Sequence, residues 1–171
     1  MQKIIFRFFD ICTFRAGPQD IPASVWLLRA IMVVYVTIDM LRGVAVNNVQ
    51  GALAEALFEL FVFAVLLYLA LQWRGKRERF LQTYTAFLGT SIIIGVFYLP
   101  LVFSMESASA AGDPVGNYLV IALLFFVWAI GVLAHIVRHS FDIHLGYAIF
   151  FSIMFIIVYG QINHVLFTGA A

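Results

Sequence analysis

The sequence predicts an all-α, polytopic membrane protein: a bundle of about five transmembrane helices preceded by an amphipathic helix at the membrane interface. Three observations lead there. Of 171 residues, 64% are hydrophobic and only 11% charged, with a mean hydropathy of +1.01, which leaves too little polar surface to cover a soluble fold. The apolar residues fall into runs of about 20, the length that crosses a bilayer core as a helix. Finally, Arg74, Lys76, Arg77 and Arg79 crowd into one short polar interruption between two such runs, the pattern of a loop retained on the cytoplasmic side. With no long polar stretch, residues 1–171 read as a single membrane domain.

The first 22 residues are expected at the cytoplasmic face. The stretch MQKIIFRFFDICTFRAGPQD has neither a long apolar core nor a small-residue cleavage site, so it is expected to stay attached rather than act as a removable signal. Lys3, Arg7 and Asp10 recur at helical spacing while Ile4, Ile5, Phe8, Phe9, Ile11 and Cys12 fill the rest of the circumference. That pattern predicts an interfacial amphipathic helix, closed by Gly17, Pro18 and Pro22. Spans follow near 24–42, 51–73, 80–103, 118–138 and 143–167. VNNVQ separates the first two, RGKRER the next two, and HSFD the last two. Residues 104–117, SMESASAAGDPVGN, are small, polar and free of Lys and Arg, as an external loop should be.

Charge sets the orientation. With RGKRER inside, Lys3, Arg7, Arg15 and Arg138 are inside too and only Arg42 is outside. The N-terminus is then cytoplasmic, and Thr168 to Ala171 lie on the opposite side. Trp26 and Trp73 fall at inner-interface positions, where an aromatic belt belongs. Ser91 and Gly95, with Gly89 nearby, form a small-residue face in the third span, suited to close packing inside the bundle or against a partner.

Polar residues inside spans mark candidate sites, because each is costly in lipid unless paired or hydrated. Counting helical rise from the span ends, Asp39, Glu55, Glu59 and His164 share the outer half, with Arg42 at the rim. One guanidinium cannot satisfy three acids, so this group is a candidate proton or cation site with Arg42 as ion-pair partner. Interhelical pairing is the plainer reading, and Glu55 also suits a helix start. An inner group comprises Arg29, His135, His139, Asp142 and His144. His135 and His139 are four apart, as metal ligands on one helix face would be, but Ile136 stands where a zinc-protease motif needs Glu, and three histidines are too few for a membrane di-iron site. Arg29, Arg74, Lys76, Arg77 and Arg79 are candidate contacts for lipid headgroups.

Several functions are disfavoured on the same residues. His135 and His164, the obvious pair for a haem, are separated by most of the fifth span, roughly 30 Å of rise. No GxSxG, paired aspartyl-protease motif or phosphate-binding glycine loop occurs. Cys12 is the lone cysteine and cannot form an internal disulfide. The net charge of +1 gives no nucleic-acid footprint. No cofactor and no enzymatic activity are expected.

Residues 79–103, RFLQTYTAFLGTSIIIGVFYLPLVF, have a charged entry, a Gln/Thr start and a late Leu-Pro. Residues 126–155, FVWAIGVLAHIVRHSFDIHLGYAIFFSIMF, carry a Trp-bearing span, a basic hairpin and a small-residue restart. Over these two stretches, about a third of the chain, the sequence resembles the third to fifth spans of the bacterial Yip1-like proteins. The resemblance implies a non-enzymatic factor of the bacterial inner membrane with five spans and a cytoplasmic N-terminus. The expected function is therefore a structural or accessory subunit, or a membrane-organising factor. Its expected partners are lipids and another membrane protein or a second copy. The alternative is a small proton- or cation-handling transport subunit using Asp39, Glu55, Glu59 and His164.

Overall fold

The computed structural model describes residues 2–44 and 49–165. Among these residues six α-helices follow one another: α1 (Gln2–Cys12), α2 (Val25–Val44), α3 (Val49–Trp73), α4 (Phe80–Ala111), α5 (Gly116–Phe141) and α6 (Leu145–Asn163). Short 3-10 turns at Pro18–Asp20 and Arg77–Arg79 complete the secondary structure, and there is no strand among the described residues. Most of the expected VNNVQ connection and the terminal Thr168–Ala171 lie outside the described residues.

Among the described residues, four segments are long and apolar enough to cross a membrane: Val49–Trp73, Arg77–Ala111, Gly116–Phe141 and Leu145–Asn163. The chain is an integral membrane protein on that basis. α2 is also long, at 20 residues, but any 18-residue stretch of it contains Arg29, Asp39 and Arg42. Those charges set it apart from the other four. It nevertheless packs mainly against α3 and α4, inside the bundle.

α4 corrects one expectation. The polar stretch 104–117 was read as a loop, yet the helix runs on through Pro100 to Ala111, leaving only residues 112–115 outside helix. Ser104 and Ser107 turn their hydroxyls back onto the carbonyls of Pro100 and Phe103, each at 2.8 Å. Serines so engaged no longer compete with the backbone ladder, and Met105, Glu106, Ala108, Ala110 and Ala111 are good or adequate helix formers. The stop comes at Gly112, whose φ of 75° is the left-handed conformation glycine adopts freely.

The core forms around two groups of side chains. Leu60, Phe63 and Leu67 of α3 meet Tyr84 and Leu88 of α4, with Leu28 and Tyr35 of α2 and Leu133 of α5 closing the sides. The Phe63 ring lies between Phe87, centroids 3.5 Å apart, and the edge of Phe155 at 5.0 Å. The second group is built on α1: Phe8, Ile11 and Cys12 press against Ala86 and Ile93 of α4 and Val132 and Ile136 of α5.

α1 therefore packs Phe8, Ile11 and Cys12 on protein while Ile5 and Phe6 stay exposed, where the sequence predicts a helix resting on the membrane surface. Glycine makes this possible. A Cβ on Gly89 would fall 2.3 Å from the Phe8 ring, so the missing side chain is the slot that Phe8 fills. Phe9 reaches Phe97, so the contacts lie roughly 13 to 25 Å along α4 from Phe80. The Trp128 indole N–H donates to the Cys12 carbonyl at 3.0 Å. Both glycines of the small-residue face expected on α4 are thus occupied within the chain, Gly89 by Phe8 and Gly95 by Ile38, while Ser91 lines a cavity. Lys3 and Arg7 remain on the exposed side of α1. Burial pushes the Cys12 thiol up to about 12, so it carries no thiolate at neutral pH.

Candidate functional site

Helices α2 to α6 surround a central cavity of about 290 Å³. Its walls are mostly apolar, but one end is polar. Tyr35, Asp39 and Arg42 form a single stripe of α2 at positions i, i+4 and i+7, and Glu59 of α3 and Tyr159 of α6 complete the polar end. Arg42 pairs with Asp39 on its own helix and lies 3.8 Å from Glu59 Oε2 across to α3. The Tyr159 hydroxyl donates to the same Glu59 oxygen at 3.3 Å, and Asn163 Nδ2 donates to Tyr159 Oη at 3.4 Å. The Tyr35 hydroxyl also hydrogen-bonds Glu59. Two carboxylates, 9% and 21% exposed, thus share one guanidinium. Such a site has room for one more positive charge, supplied by a proton or a cation.

Of the expected outer group, Asp39, Glu59 and Arg42 come together. Glu55 and His164 are outside the cavity lining and have interactions of their own. Glu55 precedes Glu59 by one turn toward the start of α3, and His164 ends α6. Tyr35 and Tyr159 are the members sequence reasoning missed. The available signal was the Tyr35-Asp39-Arg42 stripe itself, together with Tyr159 four residues before Asn163.

The expected inner group is divided between different tasks. His135 Nε2 is 2.9 Å from the Ala16 carbonyl, and because a carbonyl can only accept, Nε2 carries the proton. Phe14 stands edge-on to this ring at 5.4 Å and His139 at 4.5 Å. His135 thereby ties the N-terminal segment to α5. His144 caps α6, its Nδ1 accepting from the Gly146 N–H at 3.2 Å. His139 lines a small polar cavity of about 300 Å³ with Arg79, Gln82 and Asp142.

Asp142 belongs with the basic loop rather than with the histidines. It ends α5 in the left-handed conformation, φ 50°, and its carboxylate accepts from Lys76 and, at 3.0 Å, from Arg79. Arg74 and Lys76 donate to the Phe141 carbonyl at 3.4 and 3.2 Å, and Arg79 donates to the carbonyls of His139 and Ser140 at 3.2 and 3.3 Å. The last carbonyls of a helix lack partners within it and sit at the negative end of its dipole. Three of the four loop cations meet that need, so much of their hydrogen bonding is with protein. Arg29 and Arg77 stay exposed.

Hydrogen bonds from Lys76 and Arg79 hold the Asp142 carboxyl below the usual carboxylate range. A depressed pKa in the folded protein means stabilisation that is present above the ordinary value, about 3.9, and lost as pH falls through the folded value. The melting temperature of the wild type is therefore expected to exceed that of Asp142→Asn at neutral pH. The gap should close below about pH 4, and thermal unfolding in detergent across that range checks it.

Comparison with family models, curated proteins and solved structures finds no match to this chain.

Proposed function

We propose that the chain is a five-span, non-enzymatic membrane protein that takes a proton or a small cation into its central cavity beside Asp39, Arg42 and Glu59. The observation that carries this reading is the charge count: two carboxylates facing one guanidinium at the polar end of a mostly apolar cavity among five helices. In lipid such a surplus is costly, and intramembrane acids of this kind mark ion and proton pathways. The reading takes α2 as the fifth span, with Asp39 and Arg42 turned into the bundle. It also takes the basic loop as cytoplasmic, which puts the N-terminus inside and the membrane as a bacterial inner one. The Yip1-like resemblance supports the non-enzymatic part.

Reconstitution into proteoliposomes tests it. Proton, sodium and potassium fluxes are compared for wild type, Glu59→Gln and empty vesicles. Glu59→Gln is expected to slow flux roughly tenfold, the effect of weakening ion binding by about 1.4 kcal/mol. Wild-type flux equal to that of empty vesicles would remove the transport reading and leave the accessory one.

A further inference from the structure

A larger cavity, about 710 Å³, lies between α3, α5 and α6 at the end of the bundle that carries the basic loop. That volume is within the range of sites for small organic ligands. Its walls are mostly apolar, including Phe63, Leu67, Val137, Phe151 and Phe155, and no Asp or Glu among the described residues lines it. At its mouth stand Trp73, Arg74, His144 and Tyr147. α3 packs chiefly on α2 and α6 on α5, and the groove opens on the basic-loop side of the Phe63–Phe155 contact that joins α3 to α6.

Its length is informative. Along α3 it runs from Phe63 to Arg74, and along α6 from His144 to Phe155. At 1.5 Å per residue each is roughly 16 Å, about half of a hydrocarbon core of ~30 Å. The groove thus matches one leaflet in depth, and below its mouth it is apolar except for Ser152, whose hydroxyl donates to the Ala148 carbonyl at 2.8 Å. The charge at that surface is positive. Arg74 directs one nitrogen to the Phe141 carbonyl at 3.4 Å, but a guanidinium has five N–H donors. The start of the 19-residue α6 adds the positive end of a helix dipole beside it.

We propose that this groove holds an acyl chain of an anionic phospholipid from the leaflet on the basic-loop side, its phosphate between Arg74 and the first turn of α6. The apolar depth selects a lipid over a soluble anion, and the acid-free, cationic mouth selects an anionic headgroup. The groove adjoins the Asp39–Glu59 cavity across the shared Leu133 and Phe155 walls, but it holds none of that cavity's charged groups, and its occupancy does not require ion movement there.

Native mass spectrometry of the detergent-purified full chain tests this, with phosphatidylglycerol and phosphatidylcholine of identical chains supplied in turn. Phosphatidylglycerol is expected to be retained roughly fivefold better. Arg74→Gln should abolish that preference. Ala70→Trp, which fills the groove wall, should reduce retention of both lipids. Glycerol 3-phosphate, the headgroup without chains, should not be retained. Equal wild-type retention of the two lipids, retention unchanged by Ala70→Trp, or binding of glycerol 3-phosphate as strong as that of the lipid would each overturn the proposal. The wild-type comparison and Ala70→Trp decide the matter even if Arg74→Gln does not fold.

Discussion

Replacing Gly89 with leucine is expected to lift α1 off the bundle and expose Cys12. The Phe8 ring occupies the space a side chain at Gly89 would take, 2.3 Å from the Cβ position. The ring is 3% exposed and held by Ile93 and Val132, among others. It therefore cannot swing aside without opening the contact. Overpacking of this kind costs about 1–3 kcal/mol, enough to shift the docking equilibrium of a helix only 11 residues long. The chain supplies its own probe, because Cys12 is the single cysteine and is 1% exposed in the docked state. Maleimide labelling of the wild type in mild detergent should be very slow. Gly89→Leu should label at least roughly tenfold faster, as about 1.4 kcal/mol of undocking requires. Phe8→Ala in the same chain should restore part of the packing space, since the clash is with that ring. Equal labelling of wild type and Gly89→Leu would show that α1 does not depend on this slot.

The second large effect is expected at Arg42. Removing one partner from a buried ion pair leaves a charge without compensation, which costs about 3–5 kcal/mol when both groups are fully buried. The Arg42 side chain is 46% exposed, so solvent screening reduces the figure, and about 2 kcal/mol is expected for Arg42→Gln. Glu59→Gln should behave oppositely. It removes the surplus acid, leaves the Asp39–Arg42 pair intact and keeps an acceptor for Tyr159. Its melting temperature should equal or exceed that of the wild type. Thermal unfolding of both variants at neutral pH separates the cases, and destabilisation by Glu59→Gln as large as by Arg42→Gln would contradict a site with one carboxylate too many.

Much of the architecture was legible because lipid makes hydrophobicity decisive. Helices α3, α5 and α6 begin within about two residues of the apolar runs that predicted them. The extension of α4 was not legible: Ser, Gly and Pro read as loop residues by composition, and only the back-bonded hydroxyls of Ser104 and Ser107 reconcile them with helix. Depth along a span can be counted in sequence, and Asp39, Arg42 and Glu59, which share a depth, do meet in the fold. Rotation about the helix axis cannot be counted in the same way, so Glu55 and His164 were placed with them at the same height while Tyr35 and Tyr159 were passed over. The protein partners of the basic loop, whose cations are candidate headgroup contacts, were not legible because Phe141 and Asp142 lie more than 60 residues further on.

The docking of α1 also imposes an order of events. Trp128 donates to Cys12 of α1 and His135 to Ala16 just after it, joining residues 116 and 119 positions apart, so during synthesis the helix emerges long before its seat exists. At about 5–20 residues per second, the interval is roughly 6 to 23 seconds. Over that time α1 has apolar residues on one side, Lys3 and Arg7 on the other, and no fold to join. A newly made amphipathic segment of this kind partitions to the water–lipid boundary. The seat that Phe8, Ile11 and Cys12 take in the finished bundle is thus one that these eleven residues lack for most of synthesis.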